Sequence, residues 1–146
     1  MLHAVCLPFV LLALPTLAVS LQEDSTTPSA AEVTEQVRFC REGILDPDTR
    51  PAGRERWTQN LFAINAPEAD ALITELLGMH QRPEVQRTVC LVMSQRAQGR
   101  PDELSPDFVE PLLRLLAAEN SELRTHAAKA LAEFPNPEVA ALLGSM

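Results

Sequence analysis

Cys40 and Cys90, His80 and His126, and the carboxylate pairs Glu32/Glu35 and Glu119/Glu122 are the first side chains beyond residue 20 to weigh for catalysis or metal binding. Their spacing speaks against either. A nucleophilic cysteine needs an adjacent base and a depressed pKa, and neither thiol has a histidine in its own helical stretch. Neither histidine has a second His or Cys at i+3 or i+4, the spacing that sets two zinc ligands on one helix face. The carboxylate pairs are of the kind any solvated helix carries, and nothing marks one member as acid and the other as base. No glycine-rich phosphate loop, Gly-x-Ser-x-Gly, His-Glu-x-x-His or Cys-x-x-Cys occurs. The expectation is a non-enzymatic chain that uses no cofactor and no metal.

The elements that would carry these residues are helices. Leu and Ala dominate, aromatics make up 4% of the chain, and there is no tyrosine, so the residues strands use are scarce. Ser29 followed by Glu32 has capping-box spacing, and Val33, Val37, Cys40 and Ile44 then fall on one face of a first helix ending near Glu42–Gly43. Pro51 can open a second helix, with Trp57, Leu61 and Ile64 inward. A third runs from Pro67 to about Met79 with Leu72, Ile73, Leu76 and Leu77 inward, and a fourth after Arg82-Pro83 carries Val85, Val89, Val92 and Met93. Ser105-Pro106 caps and opens a fifth, with Val109, Leu112, Leu113 and Leu116 on its stripe; Leu123, Ala127, Ala130, Leu131 and Phe134 form the stripe of a sixth. Asn136-Pro137 then punctuates before a partial seventh. A helix of about 12 residues with one apolar stripe does not hold its shape alone in water, so these must pack in pairs, and the pairs against each other.

Residues 1–20 read as a secretory signal peptide: Leu7 to Leu14 is a compact apolar run, Pro15 breaks it, and Ala18-Val19-Ser20 offers small residues for cleavage. The competing reading is an uncleaved membrane anchor, since about 18 apolar residues can just span a bilayer. Residues 21–29 are a polar spacer, and residues 30–146 form the helical domain. The expected location is secreted or periplasmic. An exported chain with Cys40 and Cys90 invites one disulfide. The two sit in helices that are not nearest neighbours in a regular stack, and a bond needs Cα atoms within about 7 Å. Two buried, unpaired thiols are therefore expected over a bond.

The helices repeat. Glu84-Val85 aligns with Glu122-Leu123 and Val92-Met93 with Ala130-Leu131, each 38 residues apart, and Leu76-Leu77 aligns with Leu115-Leu116 at 39. Periods in this range mean stacked helix pairs. The words Pro111-x-Leu113-x-x-Leu116 and Leu123-Arg124-x-x-Ala127-Ala128-x-Ala130-Leu131 resemble the HEAT-repeat family, including its short bilin-lyase-type variants, over residues 67–143. Ala118 and Met79 stand where that family commonly has Asp, and Gln86 where Arg124 has its counterpart. The resemblance implies an all-α, right-handed α-solenoid of stacked antiparallel pairs, and a scaffold that binds protein along the face lined by the second helices.

The net charge of −8 makes the chain a poor non-specific ligand for nucleic acid or an anionic membrane, and no membrane insertion is expected once the leader is removed. Within it the signs segregate. The first helices of the later pairs carry Glu68, Asp70, Glu75, Asp107, Glu110, Glu119 and Glu138 against Arg114. The second helices carry Arg54, Arg56, Arg87, Arg96, Arg124 and Lys129 against Glu55, Glu84, Glu122 and Glu133. Arg54, Arg87, Arg124 and Lys129 are thus expected to line a groove for an acidic peptide or protein surface, beside the plainer reading of ordinary solvated helix charges. The function read from this is an exported scaffold or adaptor. The alternatives are an enzyme or lyase-like subunit completed by a partner, and the N-terminal part of a longer repeat protein. Leu142 and Leu143, uncovered at the end of the last helix, favour the second of these or self-association through that end.

Overall fold

The computed structural model describes residues 28–98 and 104–135, with Val139 and Gly144. The expected leader, residues 1–20, lies outside the described residues, as do all but the last two residues of the spacer and most of the expected seventh helix. Val139 is helical and buried. No helix among the described residues is long and apolar enough to cross a membrane.

Among the described residues six α-helices are delimited: α1 (Ala30–Leu45), α2 (Pro51–Ala63), α3 (Pro67–Leu77), α4 (Pro83–Ala97), α5 (Val109–Leu115) and α6 (Ser121–Ala132), with a 3-10 turn at Pro106–Phe108 leading into α5. Their starts follow from local chemistry. The Ser29 hydroxyl accepts from the Glu32 N–H at 3.3 Å, and the Glu32 carboxylate accepts from the Ser29 N–H at 2.7 Å, closing the capping box. These bonds hold the Glu32 carboxyl below its usual pKa. Pro51, Pro67 and Pro83 each occupy a first-turn position, where a missing N–H costs nothing. The Asn120 side chain accepts from the Leu123 N–H at 3.0 Å to open α6. Between α2 and α3 the chain reverses through Asn65 at φ 49°, a left-handed conformation that asparagine tolerates better than most residues.

The helices pair as α1/α2, α3/α4 and α5/α6, and the pairs stack: α3 touches α1 and α5 in one layer, and α4 lies between α2 and α6 in the other. This two-layer arrangement is that of an α-solenoid. All four inward residues expected of α3 and all four expected of α4 are buried, as is the whole expected stripe of α6. Ala127 and Ala130, fully buried, let α6 approach α4 closely. Ion pairs tie neighbouring pairs together: Arg41 of α1 to Glu75 of α3, and Arg87 of α4 to Glu122 of α6, each at 2.6 Å.

Val37 of the first stripe is half-buried, and two further stripes differ more from expectation. Trp57 is not core; it is 37% exposed. The inward residues of α2 are Arg54, Thr58, Leu61 and Phe62, and Trp57 lies off that stripe with its indole across Gly43 of α1. In α5 the buried side chains are Leu112 and Leu115, with Phe108 just before them. Val109, Leu113 and Leu116 are half-buried. Packing accounts for the shift: the face that α5 turns inward is the one that α6 and α3 press on. The ends differ slightly too, α1 running through Gly43 to Leu45 and α3 stopping at Leu77 with Gly78 as its cap.

Candidate docking face

The second helices α2, α4 and α6 form one layer, and between them opens a groove of about 360 Å³. Pro51 and Leu91 give it apolar wall, and Glu55, Arg87, Glu122 and His126 give it charge and polarity. The groove is thus of mixed sign.

The four cations expected on this face separate. Arg54 is a correction: it is 6% exposed, and its guanidinium is committed to backbone. Its Nε donates to the Ile44 carbonyl at 3.0 Å and its Nη2 to the Thr49 carbonyl at 3.2 Å. The first is a group that the end of α1 leaves without a helical donor, and the second lies in the loop between α1 and α2. Arg124, half-buried, is committed the same way, its Nη1 donating at 2.8 Å to the carbonyls of Ala118 and Glu119 after α5. Arg87 lies in the groove but is matched by Glu122. Lys129 is exposed on α6 and carries no such bond among the described residues. Of the four, Arg87 and Lys129 are the two whose side chains are not bonded to backbone carbonyls among the described residues.

The two buried arginines show a device that residue types alone conceal. Arg54, Gln86 and Arg124 are each the fourth residue of a second helix. Each donates to carbonyls at or just past the end of the preceding first helix, Gln86 Nε2 reaching the Leu77 carbonyl at 2.6 Å. Arg82 adds a bond to the Leu45 carbonyl at 3.0 Å. The signal was present: a long-armed N–H donor at one fixed distance past each helix start.

The remaining chemical candidates have structural roles or none. Cys40 and Cys90 are free and buried; burial raises both thiols, Cys90 to about 12, so neither is a thiolate at neutral pH. Of the carboxylate pairs, Glu32 caps α1, Glu35 is bonded to Arg38, and Glu122 to Arg87. No group of three or more His, Cys, Asp or Glu that could hold a metal occurs among the described residues.

His126 has a role the spacing does not reveal. Its Nδ1 is the buried side-chain polar atom left without a partner among the described residues. Burial first, then Lys129 on its own helix and Arg87 on α4, push its pKa below 6.5, with Glu122 opposing. Glu55 of α2 faces the same groove. A lowered histidine pKa means the unfolded chain takes up the proton first, so stability is full above about 6.5 and falls as pH drops toward the folded value. The denaturation midpoint of the wild type is expected to fall more between about pH 7.5 and pH 5 than that of His126→Gln. Parallel midpoints in the two proteins would refute the assignment.

A family model of HEAT repeats matches residues 69–146. No curated protein and no solved structure matches the chain.

Proposed function

The chain belongs to the HEAT-repeat family, and on that premise we propose that it is a non-enzymatic scaffold or adaptor that docks a protein partner on the layer formed by α2, α4 and α6. The pairs wind as a right-handed superhelix, and the partner brings acidic groups to Arg87 and Lys129. The observation that carries this reading is the open groove between the second helices, with an apolar wall to exclude water and charged residues on its rim to orient a ligand. Arg54 and Arg124 serve from behind, holding helix ends in place. The protein acts outside the cytoplasm, its apolar N-terminal segment removed at Ala18 or Ser20; the residue pattern of Leu7–Ser20 supports this.

Affinity capture from the native exported fraction, read by mass spectrometry, reports the partner and the mature N-terminus together. Reversing both exposed cations, Arg87→Glu with Lys129→Glu, is expected to lower capture at low salt by roughly tenfold or more, with the helical circular dichroism unchanged. Undiminished capture by the double variant would sink the docking assignment. A mature protein that retains Leu7–Leu14 would sink the export assignment.

A further inference from the structure

Phe39 and Trp57 are the large hydrophobic side chains left exposed among the described residues, at 49% and 37%, and both belong to the first helix pair. They are neighbours. Gly43 follows Phe39 by one turn of α1, and the Trp57 indole lies so close to it that a Cβ there would collide with the ring nitrogen. The inward residues of α1 are Val33, Cys40 and Ile44, and Arg41 reaches α3 through Glu75. Phe39, two residues and about 200° round the helix from Arg41, faces away from the rest of the stack. Exposed aromatics gathered on one flank and rimmed by charge mark an interaction surface, and tryptophan is among the residues most enriched at binding anchors.

The rim says what docks there. Arg38 lies over the Phe39 ring, 4.6 Å from its centroid, and bonds both Glu35 and Glu42 at 2.6 Å. The helix therefore presents acid, base, acid in a row. A partner surface of a single sign meets repulsion from one or the other, whereas a second copy of the row, antiparallel and offset so that base faces acid, does not. Arg38 and Glu42 are one turn apart, and so are Phe39 and Gly43. A two-fold axis crossing α1 at the level of Cys40 sets each Arg38 against the partner's Glu42. It also brings each Phe39 within two residues, about 3 Å of helix rise, of the level of the partner's Gly43, where the indole lies. We propose that this flank is a self-docking surface through which two copies of the chain form an isologous dimer.

Trp57 is the sole tryptophan, so its fluorescence reads this surface directly. Sedimentation equilibrium of the purified protein from about 1 to about 200 µM is expected to show a monomer–dimer equilibrium. Acrylamide quenching of Trp57 should weaken as the dimer fills. Phe39→Ser leaves the buried core and Trp57 in place and is expected to raise the dissociation constant by about tenfold or more. Arg38→Glu should weaken association as well, and the swap Arg38→Glu with Glu42→Arg should restore it, because the reciprocal pairs form again with signs exchanged. A monomer throughout that range overturns the proposal, whether Trp57 is accessible or is shielded by another part of the chain. So does a dimer in which quenching is unchanged, since the copies then meet elsewhere. None of these results bears on capture of a partner by the α2–α4–α6 face.

Discussion

Replacing Phe108 by alanine is expected to destabilise the protein by about 4 kcal/mol. Phe108 is 1% exposed, and its ring meets Phe62 edge-on, with centroids 6.3 Å apart and planes at 82°, the geometry that aromatic quadrupoles favour. Phe62 sits at the end of α2 and Phe108 in the turn before α5, so the contact joins the first helix pair to the third. Truncation loses the transfer energy of the ring and leaves a cavity that the packed helices around it close only in part. Against a total stability of about 5–15 kcal/mol for a domain of this kind, one such loss is a large fraction. Phe108→Leu, which keeps more of the volume, should cost less, about 1–1.5 kcal/mol. Urea denaturation followed by far-UV circular dichroism decides the matter. A loss for the alanine variant no larger than that for the leucine one would show that Phe108 does not bridge the pairs.

The second large effect is expected at Arg54, and its sign separates a structural cation from a docking one. Arg54→Met keeps most of the apolar stem but removes every donor, taking a partner from the Ile44 carbonyl, buried at the end of α1, and from the half-buried Thr49 carbonyl in the loop after it. Unsatisfied buried acceptors cost about 1–3 kcal/mol each, so a loss of about 3 kcal/mol is expected. Because these bonds run to carbonyls rather than to a carboxylate, the loss should persist at high salt. A loss that disappears with added salt would mean that Arg54 acts through long-range charge. Matching changes at Gln86 and Arg124 should cost less. Gln86 makes one such bond, and Arg124 is only half-buried, so water can replace part of what it loses.

Much of the helical framework was legible in the order of residues. The capping box at Ser29, the prolines at the starts of α2, α3 and α4, and the Leu and Val spacing of α3, α4 and α6 placed helices where they are observed. The 38-residue spacing of Val92-Met93 and Ala130-Leu131 required stacking. These features are local, or come from a period that a helix imposes on any sequence. The two thiols were also readable as buried and unpaired, because their helices are not nearest neighbours.

The functional face was less legible. Arg54 and Arg87 are both arginines early in a second helix, but they stand one residue round the helix from matching positions. That offset of about 100° turns Arg54 inward to a helix end and leaves Arg87 in the groove. Trp57 shares its helical period with Leu61 and Ile64, yet the true inward stripe is set by where α1 and α4 press on α2, and that lies outside any window of sequence.

Composition and period alone determined that this chain must be paired amphipathic helices laid side by side, because each stripe has nowhere else to hide from water. Only the tertiary structure decided how much of each helix is hidden. Cys90 and Ala128 occupy matching positions, but Cys90 is fully buried and Ala128 half-buried. Helix α4 has α2 on one side and α6 on the other, whereas α6 has α4 on one side and no further helix pair among the described residues on the other. Burial belongs to a residue's neighbours, and a repeat has no means of writing into its own sequence which neighbours it will have.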